Sequence, residues 1–592
     1  NIMDLKVDEF GLCNVQNYVD RPSQFIIFNK HEISDISNIY LKENQNFNQL
    51  RNINIQADYV IIGPKRFREI SSDLLEIRNP SIYANIETIY DEFSAGNSDP
   101  MAIRSFIQWT QEYWRNPVPN NILLLGDSGY DYRNINGSSS IIIPTIQVQA
   151  SRSYATDDLL ASVYGNIPEV ALGRYPAKNV QDVSNFIEKI KSIENNPVFG
   201  PWRQKVTLIA DDAARPEPNH GSIATGQSHT INSEQLADLI PPSINIEKLY
   251  MMEFPEVNDA SAYGVIKPDA TESLLNTLEN GTAIISYIGH GSPFQLAQEK
   301  LLDLNRGDIN QINTGAKLPL WIVGTCSFGW FDDPLNESFS EELIRSEMNC
   351  ASMIISTSRA ITVVGNERYT KDLFENIFDN GKVNNQTIGT ILQSIKDGTA
   401  ESQYFHLFGD PGMKIPMPKD TLLSLTISPD TLETLEKGTF YGHQLTIPES
   451  GNGYVSLIDA ERDVLRNYNI SSETYSINYK LPGANLFRGQ FSVSGANFEG
   501  EIRIPLDISY SDELARLIIY MNDDNTDVIG VIKSLKLKGG STVNDNQGPN
   551  IFFETINGQR LEKNDHLLKS EALVIRISDP IGINLTNEIG HE

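Results

Sequence analysis

Ala283-Ile284-Ile285-Ser286-Tyr287-Ile288-Gly289-His290-Gly291-Ser292 and Leu320-Trp321-Ile322-Val323-Gly324-Thr325-Cys326-Ser327 are two near-continuous apolar runs, each passing through glycine to a residue with a reactive side chain. A strand buried on both faces reads this way, because a parallel sheet covered by helices leaves neither face to water. The same kind of run recurs at Tyr59-Val60-Ile61-Ile62-Gly63, Ile122-Leu123-Leu124-Leu125-Gly126-Asp127, Val206-Thr207-Leu208-Ile209-Ala210 and Met353-Ile354-Ile355-Ser356. Between these runs lie stretches of helical period near 101–114, 179–194, 231–240, 271–280 and 337–347. Alternating strands and helices predict an α/β fold with a parallel sheet flanked by helices on both faces.

Working outward, the pattern changes after about residue 420 to period two with Gly, Pro and Asn turns, as in Gly500-Glu501-Ile502-Arg503-Ile504-Pro505-Leu506-Asp507-Ile508. That pattern predicts Ig-like β-sandwich structure. The expected organisation is a remnant of an N-terminal region at 1–57, an α/β domain at 58–417 and a β-sandwich at 421–545. A further β unit begins at 546–592, after the linker Asn544-Asp545-Asn546-Gln547-Gly548-Pro549, and is read as truncated. With no charged and apolar leader before the polar, Asn-rich start, the chain reads as a trimmed fragment of a longer polypeptide.

The 592 residues carry 77 acidic and 47 basic side chains, a formal charge of −30. Such a surface is a poor match for phosphate backbones, so nucleic acid is not an expected partner. With 40% hydrophobic residues the chain can fill sizeable cores, and no apolar run is long enough to cross a bilayer as a helix. Three cysteines, Cys13, Cys326 and Cys350, give neither a disulfide framework nor a CxxC pair for structural zinc.

In a doubly wound sheet, ligands and catalytic groups gather beyond the carboxyl ends of the strands. His290 and Cys326 stand there, 36 residues apart, the length of one strand-to-strand excursion. A nearby imidazole generates the thiolate that attacks a carbonyl. Gly291, without a Cβ, lets its backbone N–H approach a developing oxyanion, and the N–H of Cys326 is a second candidate donor. The bland alternatives are a cysteine that packs as a small hydrophobe and a histidine that caps a turn. Those readings hold for Cys13 and Cys350, and His406 is expected to pack beside Phe405 and Phe408.

These residues resemble the gingipain-type cysteine peptidases of the caspase-like clan. Leu124-Leu125-Gly126-Asp127, Glu169-Val170-Ala171-Leu172-Gly173-Arg174, Tyr287 to Ser292, Ile355-Ser356-Thr357 and Phe408-Gly409-Asp410-Pro411 follow in that family's order across about 58–417. Thr156-Asp157-Asp158, Gly173-Arg174-Tyr175-Pro176-Ala177 and the appended β domains look most like the sortase branch that serves type IX secretion. The resemblance implies Cys326 as nucleophile, His290 as general base and acid, and an acid just beyond the Val206 to Ala210 strand that orients the histidine. Asp211 and Asp212 both stand there, and Asp212 is favoured.

Arginine-cleaving members place an aspartate where this chain has His229, and a threonine where it has Ile288. The resemblance therefore implies a substrate pocket at His229 and Ile288 without a counter-charge for a basic P1 side chain. His229 could instead be a solvated loop residue. Calcium is implied as a possible cofactor, with Asp127, Asp131, Asp157, Asp158, Asp332 and Asp333 as candidate oxygen donors and no ligand assigned.

The implied function is an exported endopeptidase or transpeptidase that removes C-terminal sorting domains from cargo at the bacterial surface. An outer-membrane β-barrel would be its partner and lipopolysaccharide its acceptor. A freely secreted gingipain-like protease and a non-enzymatic surface module remain alternatives.

Overall fold

A computed structural model describes residues 49–578, apart from 136, 138–140, 151–152, 213–226, 260–263, 448, 471–472, 510–512, 541–547, 556–559 and 562–571. Cys13 and nearly all of the 1–57 segment lie outside the described residues. The central feature is a ten-stranded sheet. Its order is Ser81–Asn85, Tyr59–Gly63, Asn121–Leu125, Ala171–Tyr175, Phe405–Phe408, Met353–Thr357, Leu320–Gly324, Ile284–Ile288, Lys205–Ala210 and Asn245–Tyr250.

Neighbouring strands are parallel except at one junction, where Phe405–Phe408 runs antiparallel to Met353–Thr357. The sheet is thus two parallel blocks of five strands with opposite directions. Three helices, Val363–Ile377, Ile388–Ser394 and Ala400–Tyr404, occupy the excursion that brings the chain back reversed.

Successive residues of a strand face opposite sides of a sheet, so a continuous apolar run feeds two cores. Tyr59, Ile61, Leu123 and Leu125 join one core with Val183, Phe186 and Ile190 of the helix Val180–Glu194. Val60, Ile62, Ile122 and Leu124 join the other with Ala102, Ile103 and Phe106 of Pro100–Tyr113. The first of these helices starts with a capping box between Asn179 and Asp182. The second starts with Asp99 accepting from the Met101 N–H just before Pro100.

Several of the sequence motifs are packing devices. A Cβ on Gly173 would lie 2.4 Å from the carbonyl oxygen of Gly409, so glycine is what lets these two segments cross. The buried guanidinium of Arg174 grips both carboxylate oxygens of Asp157, at 2.7 and 2.8 Å. Asp410 accepts from Tyr59 Oη at 2.6 Å and pairs with Arg78.

From Ser424 onward the strands are mostly antiparallel, with Thr431–Glu433 pairing in parallel with Asp527–Lys538. One sheet contains Ser450–Ile458, Asn485–Ser494, Ala515–Asn522 and Asp527–Lys538; another contains Ser424–Ser428, Lys437–His443 and Asn497–Arg503. Val455, Leu457, Ile519, Phe440, Phe498 and Ile502 from the two sheets share one core. Arg203 joins this half to the α/β part through Asp527 at 2.5 Å. The Gly200 N–H donates to Tyr520 Oη at 3.0 Å.

The hairpin of Arg462–Ile470 and Glu473–Leu481 reaches furthest into the α/β part, placing Val464, Ile477, Tyr479 and Leu481 in its core. It is tied to the helix Gln227–Leu239 by Gln227 Nε2 donating to Ser476 O at 2.9 Å and Lys480 N donating to Glu234 Oε2 at 3.0 Å.

Candidate active site

Ile288 sits opposite Gly324 on one side and Ala210 on the other. Asp212, His290 and Cys326 therefore each lie two residues beyond the same rung of three adjacent parallel strands. Strands lie about 4.8 Å apart, so residues leaving neighbouring strands at equal height emerge side by side. The strand ends are laced together: Gly289 N donates to Gly324 O at 3.3 Å and Asp211 N to Ile288 O at 3.0 Å.

Two glycines make this lacing possible. A Cβ on Gly291 would fall 2.6 Å from Thr325 Oγ1, and one on Gly289 would fall 2.4 Å from Asp211 Cβ. Larger residues would push the histidine turn off the neighbouring strands. Gly291 thus brings its backbone against the residue that precedes Cys326, where an oxyanion donor has to stand.

Cys326 is half-buried, and its sulfur lies 3.9 Å from the carbonyl oxygen of Ile361. The next residue, Ser327, has φ +58°, a left-handed conformation that costs a side-chain-bearing residue on the order of 1 kcal/mol. The chain consequently turns away directly after the thiol. Asn366 Nδ2 holds the Gly324 carbonyl at 2.7 Å and Thr357 Oγ1 holds that of Thr325. Cys350, in contrast, is buried in the core, where burial raises its thiol above the usual value. The histidine expected to pack does so: His406 stands edge-on to Phe331 at 4.8 Å and near Phe408 at 6.5 Å.

The backbone of His290 is fixed on both sides. Its N–H donates to Asp211 Oδ2 at 2.9 Å, and its carbonyl accepts from Tyr287 Oη at 2.6 Å and Ala297 N at 2.9 Å. The carboxylate that meets the His290 main chain is therefore Asp211, not the Asp212 that the resemblance favours for orienting the ring. Asp212 turns to Lys267 Nζ at 2.5 Å. Both aspartates follow the end of the strand Lys205–Ala210 and their carboxylates stay within 4.8 Å of each other, the Asp212 N–H donating to Asp211 Oδ1 at 3.0 Å. Burial, then the neighbouring Asp212 and Glu299 carboxylates, raise the Asp211 carboxyl well above its usual value.

His229 is not a solvated loop residue. It lies on the helix Gln227–Leu239, 6% exposed, with its ring 5.0 Å from that of His290 at 85°. Burial first, then His290, pushes its pKa down to about 3, so the ring is neutral at physiological pH. Ile288 needs a correction as a pocket-lining residue: it is 1% exposed and part of the sheet core. Its place in the strand points the side chain into packing.

The acids considered for calcium already hold protein partners, Asp131 among them through the Ile135 N–H at 2.9 Å. Asp157 is spent on Arg174, Asp158 on Lys396, and Asp332 on Arg359 through two 2.7 Å contacts. Asp333 accepts from Leu335 N and Asn336 Nδ2, and Asp127 from Ser128 N. Among the described residues, carboxylates do converge at Asp211, Asp212 and Glu299, and Lys267 pairs with Asp212 of that group. Features that sequence reading passed over include the Arg359 guanidinium stacked 4.9 Å over the Trp330 ring, the Ile361 carbonyl at the thiol, and the Tyr287 hydroxyl beneath His290. Of these, only Tyr287, three residues before His290, left a local signal.

The sequence profile of Peptidase family C25 matches residues 52–416, more than half of the 592-residue chain. Among solved structures, the complex of Porphyromonas gingivalis RgpB pro- and mature domains is similar at 17% identity and a TM-score of 0.48, over 81% of this chain and 100% of that one. The Arg-specific cysteine proteinase gingipain R gives the same identity and TM-score over 81% of this chain and 98% of its own. Dimeric latent PorU from Porphyromonas gingivalis matches at 17% identity and a TM-score of 0.35, over 84% of this chain and 44% of that chain. No protein of curated function matches. The family profile spans all ten strands of the large sheet and both His290 and Cys326, and the chain belongs to Peptidase family C25, a family of cysteine-type peptidases.

Proposed function

We propose that the protein is an exported, surface-associated cysteine endopeptidase and transpeptidase that removes C-terminal sorting domains from secreted cargo, with Cys326 as nucleophile and His290 as base and acid. The observation that carries the chemistry is the shared rung: both residues stand two positions beyond the Ile288 to Gly324 pair. In the first half-reaction His290 takes the thiol proton as sulfur bonds to the scissile carbonyl carbon. The oxyanion draws on the backbone N–H groups of Gly291 and Cys326. Collapse of this intermediate breaks the C–N bond, and the same proton leaves with the amine.

The thioester then passes its acyl group to water or to another nucleophile, and the thiol is restored. Transfer to a surface glycolipid such as lipopolysaccharide, with an outer-membrane β-barrel holding the enzyme in place, is the sortase form of this second step. What supports it over a digestive protease is His229: neutral and buried, it stands at the position where the resemblance puts the carboxylate of arginine-cleaving members. Among the described residues no helix is long and apolar enough to cross a membrane, so attachment through partners or acceptor fits the reading.

The test is incubation with a purified cargo carrying its C-terminal sorting domain, with and without a primary amine. Mass spectra are expected to show the shortened cargo as free acid alone and as amide adduct when amine is present. Hydrolysed product only, across a range of acceptors, would favour a plain protease.

A further inference from the structure

Asp211, His229 and His290 converge at one end of the sheet, with one ligating atom from each residue within 4.8 Å of the others. The three come from different elements. Asp211 follows the strand Lys205–Ala210, His290 follows Ile284–Ile288, and His229 lies in the first turn of Gln227–Leu239. His229 is 94% buried, and its Nδ1 has no hydrogen-bond partner among the described residues. A buried ring nitrogen left without a partner is costly, and a lone pair beside a second imidazole and a carboxylate is what a borderline-soft divalent cation binds.

Zinc bonds of about 2.0 to 2.2 Å set tetrahedral donor atoms roughly 3.3 Å apart, so a side-chain rotation of about an ångström closes the set. Oxygen-seeking ions such as calcium or magnesium gain little from two imidazoles.

We propose that Asp211, His229 and His290 form an inhibitory site for zinc or a similar transition-metal ion, with a water molecule as the fourth ligand. The inference rests on His290 being the catalytic base. A metal bond occupies the lone pair that would accept the thiol proton, so the loaded enzyme is silent until the ion is withdrawn. His229 makes the site conditional on this chain's own recognition helix. It gives the enzyme a means of staying inactive wherever zinc is plentiful.

The experiment measures binding first, without activity. Zinc chloride is titrated calorimetrically into the full chain carrying Cys326→Ala, which removes the thiol as a competing ligand. One equivalent is expected to bind, and cobalt(II) chloride should give the visible absorption of a tetrahedral nitrogen-oxygen site. His229→Ala and, as a gentler change, His229→Gln in the same background should each weaken binding about tenfold or more. Zinc binding that both variants leave intact, or that is lost once Cys326 is gone, would overturn the proposal. Peptidase assays then stand apart: a chain that binds zinc here yet cleaves nothing even after a chelator has removed the ion would refute the enzymatic reading and leave the metal site. A chain that cleaves but shows no His229-dependent zinc would do the reverse.

Discussion

Asp211 Oδ2 accepts the backbone N–H of His290 at 2.9 Å, so the carboxyl grips the main chain of the histidine. Its burial among Asp212 and Glu299 favours the protonated form, a neutral acceptor that an amide can imitate. Asp211→Asn is therefore expected to keep activity within about tenfold of the parent, whereas Asp211→Ala frees the turn. Displacing a catalytic group by about 1 Å can cost on the order of 100-fold. Steady-state kcat/KM for the two variants checks this; equal losses would show that the charge, not the hydrogen bond, matters.

Cys326→Ala should abolish turnover while leaving the thermal midpoint nearly unchanged, because the thiol is half-exposed and leaves little cavity. His290→Ala should lose a similar factor, roughly 10⁴-fold or more, and the double variant little beyond either single. Iodoacetamide labelling followed by peptide mapping offers a second readout. Cys326 should react faster than Cys350, and His290→Ala should slow it.

Burying a guanidinium without a carboxylate costs several kcal/mol, so arginyl and lysyl peptides should be poor substrates beside peptides with small uncharged P1 residues. His229→Asp places an acid on the same helix and should raise kcat/KM for the arginyl peptide. Efficient cleavage of that peptide by the unaltered enzyme would point to a different acid in the pocket.

His406 titrates in the folded protein at about 3 against an ordinary value of 6.5, chiefly through burial, with Lys396 and Arg174 opposing the charge and Asp157 favouring it. The folded state thus binds fewer protons than the unfolded chain below pH 6.5. His406 therefore loses stability as pH falls through that value toward 3. At pH 5 the penalty is about 2 kcal/mol by the usual 1.36 kcal/mol per pH unit. Urea midpoints of the parent and His406→Gln should therefore draw closer by that amount between pH 7 and pH 5. A constant gap would mean that the histidine charges without cost.

The hairpin of Arg462–Ile470 and Glu473–Leu481 supplies a fifth test. Arg466 forks onto Glu253 with two 2.8 Å bonds, and Tyr479 Oη reaches the same carboxylate. Loosening this hairpin with Arg466→Ala and Tyr479→Ala together should raise KM about fivefold, the equivalent of roughly 1 kcal/mol. kcat should move less, since His290 and Cys326 are held by their own strands. Unchanged kinetics would confine the hairpin to stability.

Central strands were legible because burial on both faces writes itself as an unbroken apolar run: Leu320–Gly324 and Tyr59–Gly63 coincide with their runs. Edge strands carry no such mark. Ser81–Asn85 and Asn245–Tyr250 are half-covered and mix polar residues with apolar ones. The antiparallel return of Phe405–Phe408 is a property of three intervening helices, which periodicity cannot aim.

At the site, His290 and Cys326 were readable because glycine precedes or follows them at strand ends. Which of Asp211 and Asp212 meets the His290 backbone depends on how the chain turns after the strand Lys205–Ala210, which no local pattern sets. The edge-on meeting of His229 with His290 depends on tertiary packing, which no local pattern encodes.

The hairpin that grips Gln227–Leu239 also bears on how this enzyme can diversify. Ser476 and Lys480 contribute backbone atoms, so most substitutions on that strand leave the grip intact, while a change in its length or register would carry His229 along with it. The position of His229 therefore depends on a segment some 250 residues downstream. Recombination that exchanged the α/β half between relatives without its trailing strands would leave the helix Gln227–Leu239 without its brace.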